Sequence, residues 1–162
     1  MLVVRCTAKL LRRLQAEPDL RPANSTTGLG DWYATVLPWR PRHLVMLVNE
    51  ASRLPVVLPA REISTLGQRI PDAIARVLED LGIAAKAIDQ EYRAMAEITF
   101  AKTASRSVLG TMNEFVLYLE HMLRSGPHLT EHEMGIHLGQ VLVTVPPLGY
   151  QVPAEMTTQI LA

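Results

Sequence analysis

Seven apolar residues between positions 108 and 123 do most to constrain what this chain can fold into. Val108, Met112, Phe115, Val116, Leu119, Met122 and Leu123 recur at the three- and four-residue spacing of an α-helix, and Gly126 lies just beyond them. The pattern predicts a helix over 108–124 with one apolar stripe, so another layer must offer an apolar face to receive it. Immediately before it, residues 97–101 alternate as a strand does. Residues 102–113 therefore form a strand-to-helix junction, the best-defined step in the chain.

The receiving layer is legible in the N-terminal half. Leu2–Cys6 reads as a short buried strand, and Thr7 stands where it could cap a helix to about Gln15 with Leu10, Leu11 and Leu14 on one side. Residues 17–30 carry Pro18, Pro22, Asn24, Ser25, Gly28 and Gly30, the composition of a long loop. Strands are expected over 32–39, 43–49 and 54–58, and their short connectors favour antiparallel pairing. Continuous apolarity over 43–49 suits a strand covered on both faces, and Pro55 sends the third strand to an edge or makes it start there.

From Arg61 the period turns helical. Pro71 suits a first helical position, Ile70, Ile74, Val77, Leu78 and Leu81 share a face, and Gly82 closes it. A second helix is expected over 84–95 and a last one over 130–143, where Thr130 and Glu133 have capping-box spacing. Strands first and helices after, with one strand between, is the order of an α+β domain and not of a repeating βαβ chain. The expectation is a single α+β domain over 1–145, a mixed, mainly antiparallel sheet with helices packed on it, followed by a C-terminal tail over 146–162.

Of the 162 residues 48% are apolar and 20% charged, enough for a core in one domain. One cysteine, Cys6, excludes an internal disulfide framework, and its apolar neighbours suit a buried, inert thiol. Arg5 interrupts the apolar start too early for a secretory segment, and no run reaches the ~18 apolar residues of a membrane helix. A cytoplasmic protein with no membrane partner is the expectation. Sixteen basic and sixteen acidic residues cancel, which disfavours nucleic acid as a partner. Residues 1–53 hold eight basic and four acidic groups, a net of +4, so a basic face there, with Lys9, Arg12 and Arg13, is permitted.

The junction carries the chemistry. Lys102, Thr103, Ser105, Arg106 and Ser107 bring three hydroxyls and two cations to a helix start, whose free N–H groups favour an anion. The alternative is a serine N-cap with solvated charges. The glycines of a Walker loop are missing, and Gly110 falls inside the helix, where close approach of another backbone would justify it. Asp31, Asn49 and Glu50 flank the strands and could face a common cleft, or serve turns. Trp32, Tyr33 and Trp39 could form a stacking surface, or pack in the core. His132 and His137 are one residue too far apart for a zinc-protease helix, and His128 precedes the helix, so no metal is expected. His43 reads as a strand-end residue. No nucleophile elbow or dinucleotide loop is present, and the sequence leaves any cofactor unknown.

Several segments together resemble a known family: Arg5-Cys6-Thr7 with Lys9-Leu10-Leu11, Leu29-Gly30-Asp31-Trp32-Tyr33-Ala34, Leu47-Val48-Asn49-Glu50 with Leu54-Pro55, and Lys102-Thr103 with Arg106-Ser107-Val108-Leu109-Gly110-Thr111-Met112-Asn113. In these the chain resembles the bacterial proteins grouped as domain of unknown function 6933, over about residues 2–125, and matches poorly past Gly126. The resemblance implies bacterial origin and a single domain, and carries no activity. The functional expectation is a ligand- or partner-binding protein. Its candidate ligand residues are Lys102, Thr103, Ser105, Arg106, Ser107, Asn113, Asp31, Trp32, Asn49 and Glu50. Its partner would be a phosphate-containing small molecule or a protein. The alternative is an enzyme acting on a nucleotide or nucleic acid through the same basic junction.

Overall fold

The computed structural model describes residues 1–126 and 129–162. In chain order they form β1 (Leu2–Cys6), α1 (Ala8–Leu14), β2 (Trp32–Pro38), β3 (His43–Asn49) and β4 (Pro55–Pro59). A single 3-10 turn (Ile63–Thr65) leads to α2 (Leu66–Asp80), α3 (Ala85–Ala94), β5 (Ile98–Lys102) and α4 (Arg106–Arg124). The chain ends with α5 (Glu131–Leu138), β6 (Val143–Val145), β7 (Gly149–Gln151) and α6 (Pro153–Ile160).

Five strands pair in the order β4-β3-β2-β1-β5, and β6 and β7 form a separate two-stranded ribbon. The short connectors give antiparallel β2–β3 and β3–β4 pairs, while β1 lies parallel to both β2 and β5. Within this sheet the two antiparallel pairings align twelve residue pairs and the two parallel ones eight, so it is the mixed, mainly antiparallel sheet expected of this α+β chain.

Alternation along the strands makes two cores. Val4, Cys6, Trp32, Ala34, Val45 and Leu47 face α1, α2 and α3. Tyr33, Met46, Val48 and Val57 face the stripe of α4, through Val108, Met112, Phe115 and Leu119. Both faces of β3 are thus covered, which is why it is apolar from Leu44 to Val48. Burying Phe115 completely stabilises this second layer by roughly 1.5–3 kcal/mol. At the β4 edge α5 lies against strand backbone. A Cβ at Gly135 would stand 3.3 Å from the Val57 nitrogen, so glycine permits that approach and the edge is shielded from further strand pairing.

Several expectations require correction. Pro71 does not open α2. It lies inside the helix, because Leu66 and Ile70 are both buried and extend the apolar face towards the N-terminus. The last expected helix stops at Leu138, and Val143 instead joins a strand. Residues 146–162, expected as a tail, form β7 and α6, with Met156 and Thr157 buried. Gly110 is approached by no backbone, since a Cβ there would meet nothing within 4 Å. Thr7 precedes α1 without capping it by its side chain; its hydroxyl lies 3.0 Å from that of Thr35. Thr130 caps α5, its hydroxyl accepting from the Glu133 N–H and donating to the Glu133 carboxylate, so the cap forms without the reciprocal bond of a capping box. Among the described residues no helix is long and apolar enough to cross a membrane.

Two measurements check this packing. Cys6 is 1% exposed and burial pushes its thiol up to about 12. We expect it to resist disulfide-exchange reagents in the native protein and to react stoichiometrically once unfolded; rapid native labelling would contradict the packing. Asn49 is wholly buried, donating to the Leu29 and Asp31 carbonyls and accepting from the Ala51 and Ser52 N–H groups. Asn49→Ala strands several of these groups, each costing about 1–3 kcal/mol. Urea unfolding should show a loss of at least about 2 kcal/mol, and a loss under about 0.5 would count against this account.

Candidate functional site

The chain leaves the carboxyl ends of two neighbouring parallel strands in opposite directions. After β1 it crosses to the first face as α1, and after β5 it crosses to the second as α4. Such a divergence opens a crevice at the strand ends in sheets of this kind. The polar residues of the chain's centre gather beside it, on the second face.

Arg5 stands opposite Tyr33 in the β1–β2 register, so both side chains project to the α4 side. The Arg5 guanidinium pairs with Asp31, Nε to Oδ2 at 2.9 Å, and donates from Nη1 to the Lys102 carbonyl at 3.2 Å. The other Asp31 oxygen accepts from the Ser25 hydroxyl at 2.7 Å. Tyr33 lies buried beneath the start of α4. Its hydroxyl accepts from the Ser105 N–H at 3.0 Å and lies 3.5 Å from a Glu50 carboxylate oxygen. Burial raises the Tyr33 pKa, and the phenol stays protonated at neutral pH.

The helix itself begins as a polar junction should. Ser105 caps α4, its hydroxyl accepting from the Val108 N–H, which leaves the first-turn N–H groups of Arg106 and Ser107 without an intrahelical acceptor. Nineteen residues of helix dipole end there, equivalent to roughly half a positive charge.

Arg53 completes the arrangement. The turn after β3 holds it at φ 64°, a left-handed conformation that costs a non-glycine residue about 1–2 kcal/mol. Only 5% of it is exposed. One guanidinium nitrogen, Nη2, donates to the Ser107 hydroxyl at 3.0 Å, directing the charge at the first turn of α4. The buried Nε has no partner, and among the described residues no carboxylate lies within 4 Å of the guanidinium. Burial pushes the Arg53 pKa below its ordinary value, with Glu50 and Tyr33 opposing the shift.

The residues expected from the sequence divide into two groups. Ser105, Ser107, Asp31 and Glu50 come together here, with Thr103 half-buried in the connecting loop and Arg106 exposed in the first turn; Lys102 brings only its carbonyl, since it stands opposite Cys6 and its side chain projects to the α1 side of the sheet. Trp32 points into the opposite core, and Asn49 is spent on its own turn. Asn113 is exposed on α4, about 9 Å along the axis from Ser107 at 1.5 Å per residue. Trp32 and Tyr33 face opposite ways and make no common stacking surface, while Trp39 lies under the Arg124 guanidinium. His132 meets Asp80, His137 is exposed, and His43 begins β3; His128 lies outside the described residues. Among the described residues no group of three His, Cys, Asp or Glu side chains is placed to hold a metal. Arg53, in the turn between β3 and β4, is a candidate functional residue that no motif or spacing in the sequence marks.

The family model described as Domain of unknown function (DUF6933) matches residues 3–156 of the 162. The chain belongs to that family. The match runs past Gly126, where the resemblance read from the residues stopped, and takes in β6, β7 and the first half of α6. No curated protein and no solved structure matches the chain.

Removing the Arg53 charge separates its structural cost from its use. Arg53→Met keeps an unbranched chain and eliminates an incompletely paired buried cation. In buffer free of multivalent anions we expect unfolding free energy unchanged or raised by up to about 2 kcal/mol. A loss above about 1 kcal/mol would mean that the guanidinium holds the fold together.

Proposed function

We propose that this protein binds an anionic ligand, a phosphate or carboxylate group, at the start of α4. The supporting observation is Arg53: a buried guanidinium with one hydrogen bond, turned towards a helix N-terminus whose first N–H groups have no acceptor. A buried cation costs several kcal/mol unless an anion compensates it. Arg106 stands exposed in the first turn of α4, where it would draw an anion in without the desolvation that Arg53 has already undergone.

Binding is the better reading than catalysis. An enzyme acting on a nucleotide would need a free base or metal ligand beside these cations. Asp31 is engaged through both oxygens, by Arg5 and Ser25, which leaves Glu50 of the two carboxylates named for that role. A ligand such as a phosphate ester, or an acidic segment of a partner protein, fits the same chemistry.

Thermal unfolding at constant ionic strength tests the reading with three probes: inorganic phosphate, a nucleoside monophosphate and glutarate, each against chloride. A ligand at about 100-fold excess over its Kd stabilises the native state by about 2.7 kcal/mol. We expect at least one probe to raise Tm in the wild type, and Arg53→Met to abolish the rise. Equal shifts in both proteins, or no shift with any probe, would refute the site.

A further inference from the structure

On the opposite face of the sheet, away from the junction, α1, α2, α3 and the edge strand β5 enclose a groove of about 780 Å³. We propose that this groove is a second binding site, for a small, mainly apolar organic acid bearing a hydrogen-bond donor on its apolar body.

Three features of the lining carry the assignment. Its floor is apolar: Leu14, Met95, Ile98 and Phe100 line it, and a cavity of this volume suits a small molecule. Its only charged lining side chain among the described residues is Arg93, exposed at the end of α3 with no carboxylate within 4 Å. The groove therefore offers a cation to complement an acidic head group.

The third feature is an acceptor made by the backbone. Pro71 is the sixth residue of α2 and has no N–H, so the carbonyl of Gly67, four residues earlier, lacks its helical donor. Both residues line the groove. Proline in a helix interior costs about 3 kcal/mol, and here the position frees an acceptor beside an apolar cavity. An N–H or O–H on the ligand body would satisfy it. Tyr92 forms a wall, its hydroxyl donating to Asp72 at 2.7 Å.

Amide NMR titration with three probes dissects these features. Indole-3-acetate carries the ring, the donor and the acid; 1-methylindole-3-acetate lacks the donor; 3-methylindole lacks the acid. We expect indole-3-acetate to perturb Gly67, Met95 and Phe100, and each truncated probe to bind about tenfold or more weakly, the loss of one good hydrogen bond or ion pair. A Cβ at Gly67 would lie 3.7 Å from the Phe100 ring, an ordinary contact, so Gly67→Leu fills the groove without backbone strain and should abolish the perturbations. Arg93→Met, at an exposed position that folding tolerates, should weaken indole-3-acetate about tenfold and leave 3-methylindole unchanged. The proposal is overturned if indole-3-acetate at millimolar concentration leaves these amides unmoved, or if all three probes bind Arg93→Met as they bind the wild type. It is equally overturned if the wild type forms a dimer that Gly67→Leu abolishes, which would give the groove to a second copy of the chain.

Discussion

The hydrogen bond from the Ser105 N–H to the Tyr33 hydroxyl fixes where β5 ends and α4 begins. Tyr33 is wholly buried, and its hydroxyl accepts from the Ser105 N–H where the chain turns over the sheet at residues 103–105, with the Glu50 carboxylate 3.5 Å away. That turn places Ser105 as the cap of α4 and lays Val108, Met112 and Phe115 on the face that Tyr33 shares with Met46 and Val48. It also brings Ser107 to Arg53, on the far side of two strands. One satisfied phenol therefore sets the helix register, the second core and the junction's polar contents together.

The junction departs from the economy of the rest of the fold. Several other buried polar groups are closed in sets: Asn49 with its turn, Glu91 with the Gly28 and Leu29 N–H groups, Asp31 between Arg5 and Ser25; His43 Nδ1 is, like Arg53 Nε, buried without a partner. Among the described residues Arg53 alone combines a left-handed backbone, near-complete burial and an unpartnered nitrogen. Strain and unpaired charge in one residue reduce stability, and they persist where another requirement is met.

Local patterns were readable and distant ones were not. The apolar stripe of α4 and the Thr130 cap of α5 depend on neighbours within four residues, so local spacing found both. The parallel pairing of β1 with β5 joins residues nearly a hundred positions apart and leaves no local mark. The α5 helix was overextended because Val141 and Val143 continue an apolar spacing, although the chain turns at Gly139, whose carbonyl accepts from the Ala154 N–H. At the site, Lys102–Ser107 was legible as hydroxyls and cations before a helix. Arg53 was invisible, because an arginine closing a turn looks solvent-exposed until the opposite helix covers it.

Selenate is a tetrahedral dianion whose selenium scatters anomalously, and a crystal grown in it tests the junction most directly. The account predicts an anomalous peak within hydrogen-bonding reach of both the Arg53 guanidinium and the Ser107 N–H. A structure in which the guanidinium instead pairs with the Glu50 carboxylate, with no anion at the first turn of α4, would contradict it.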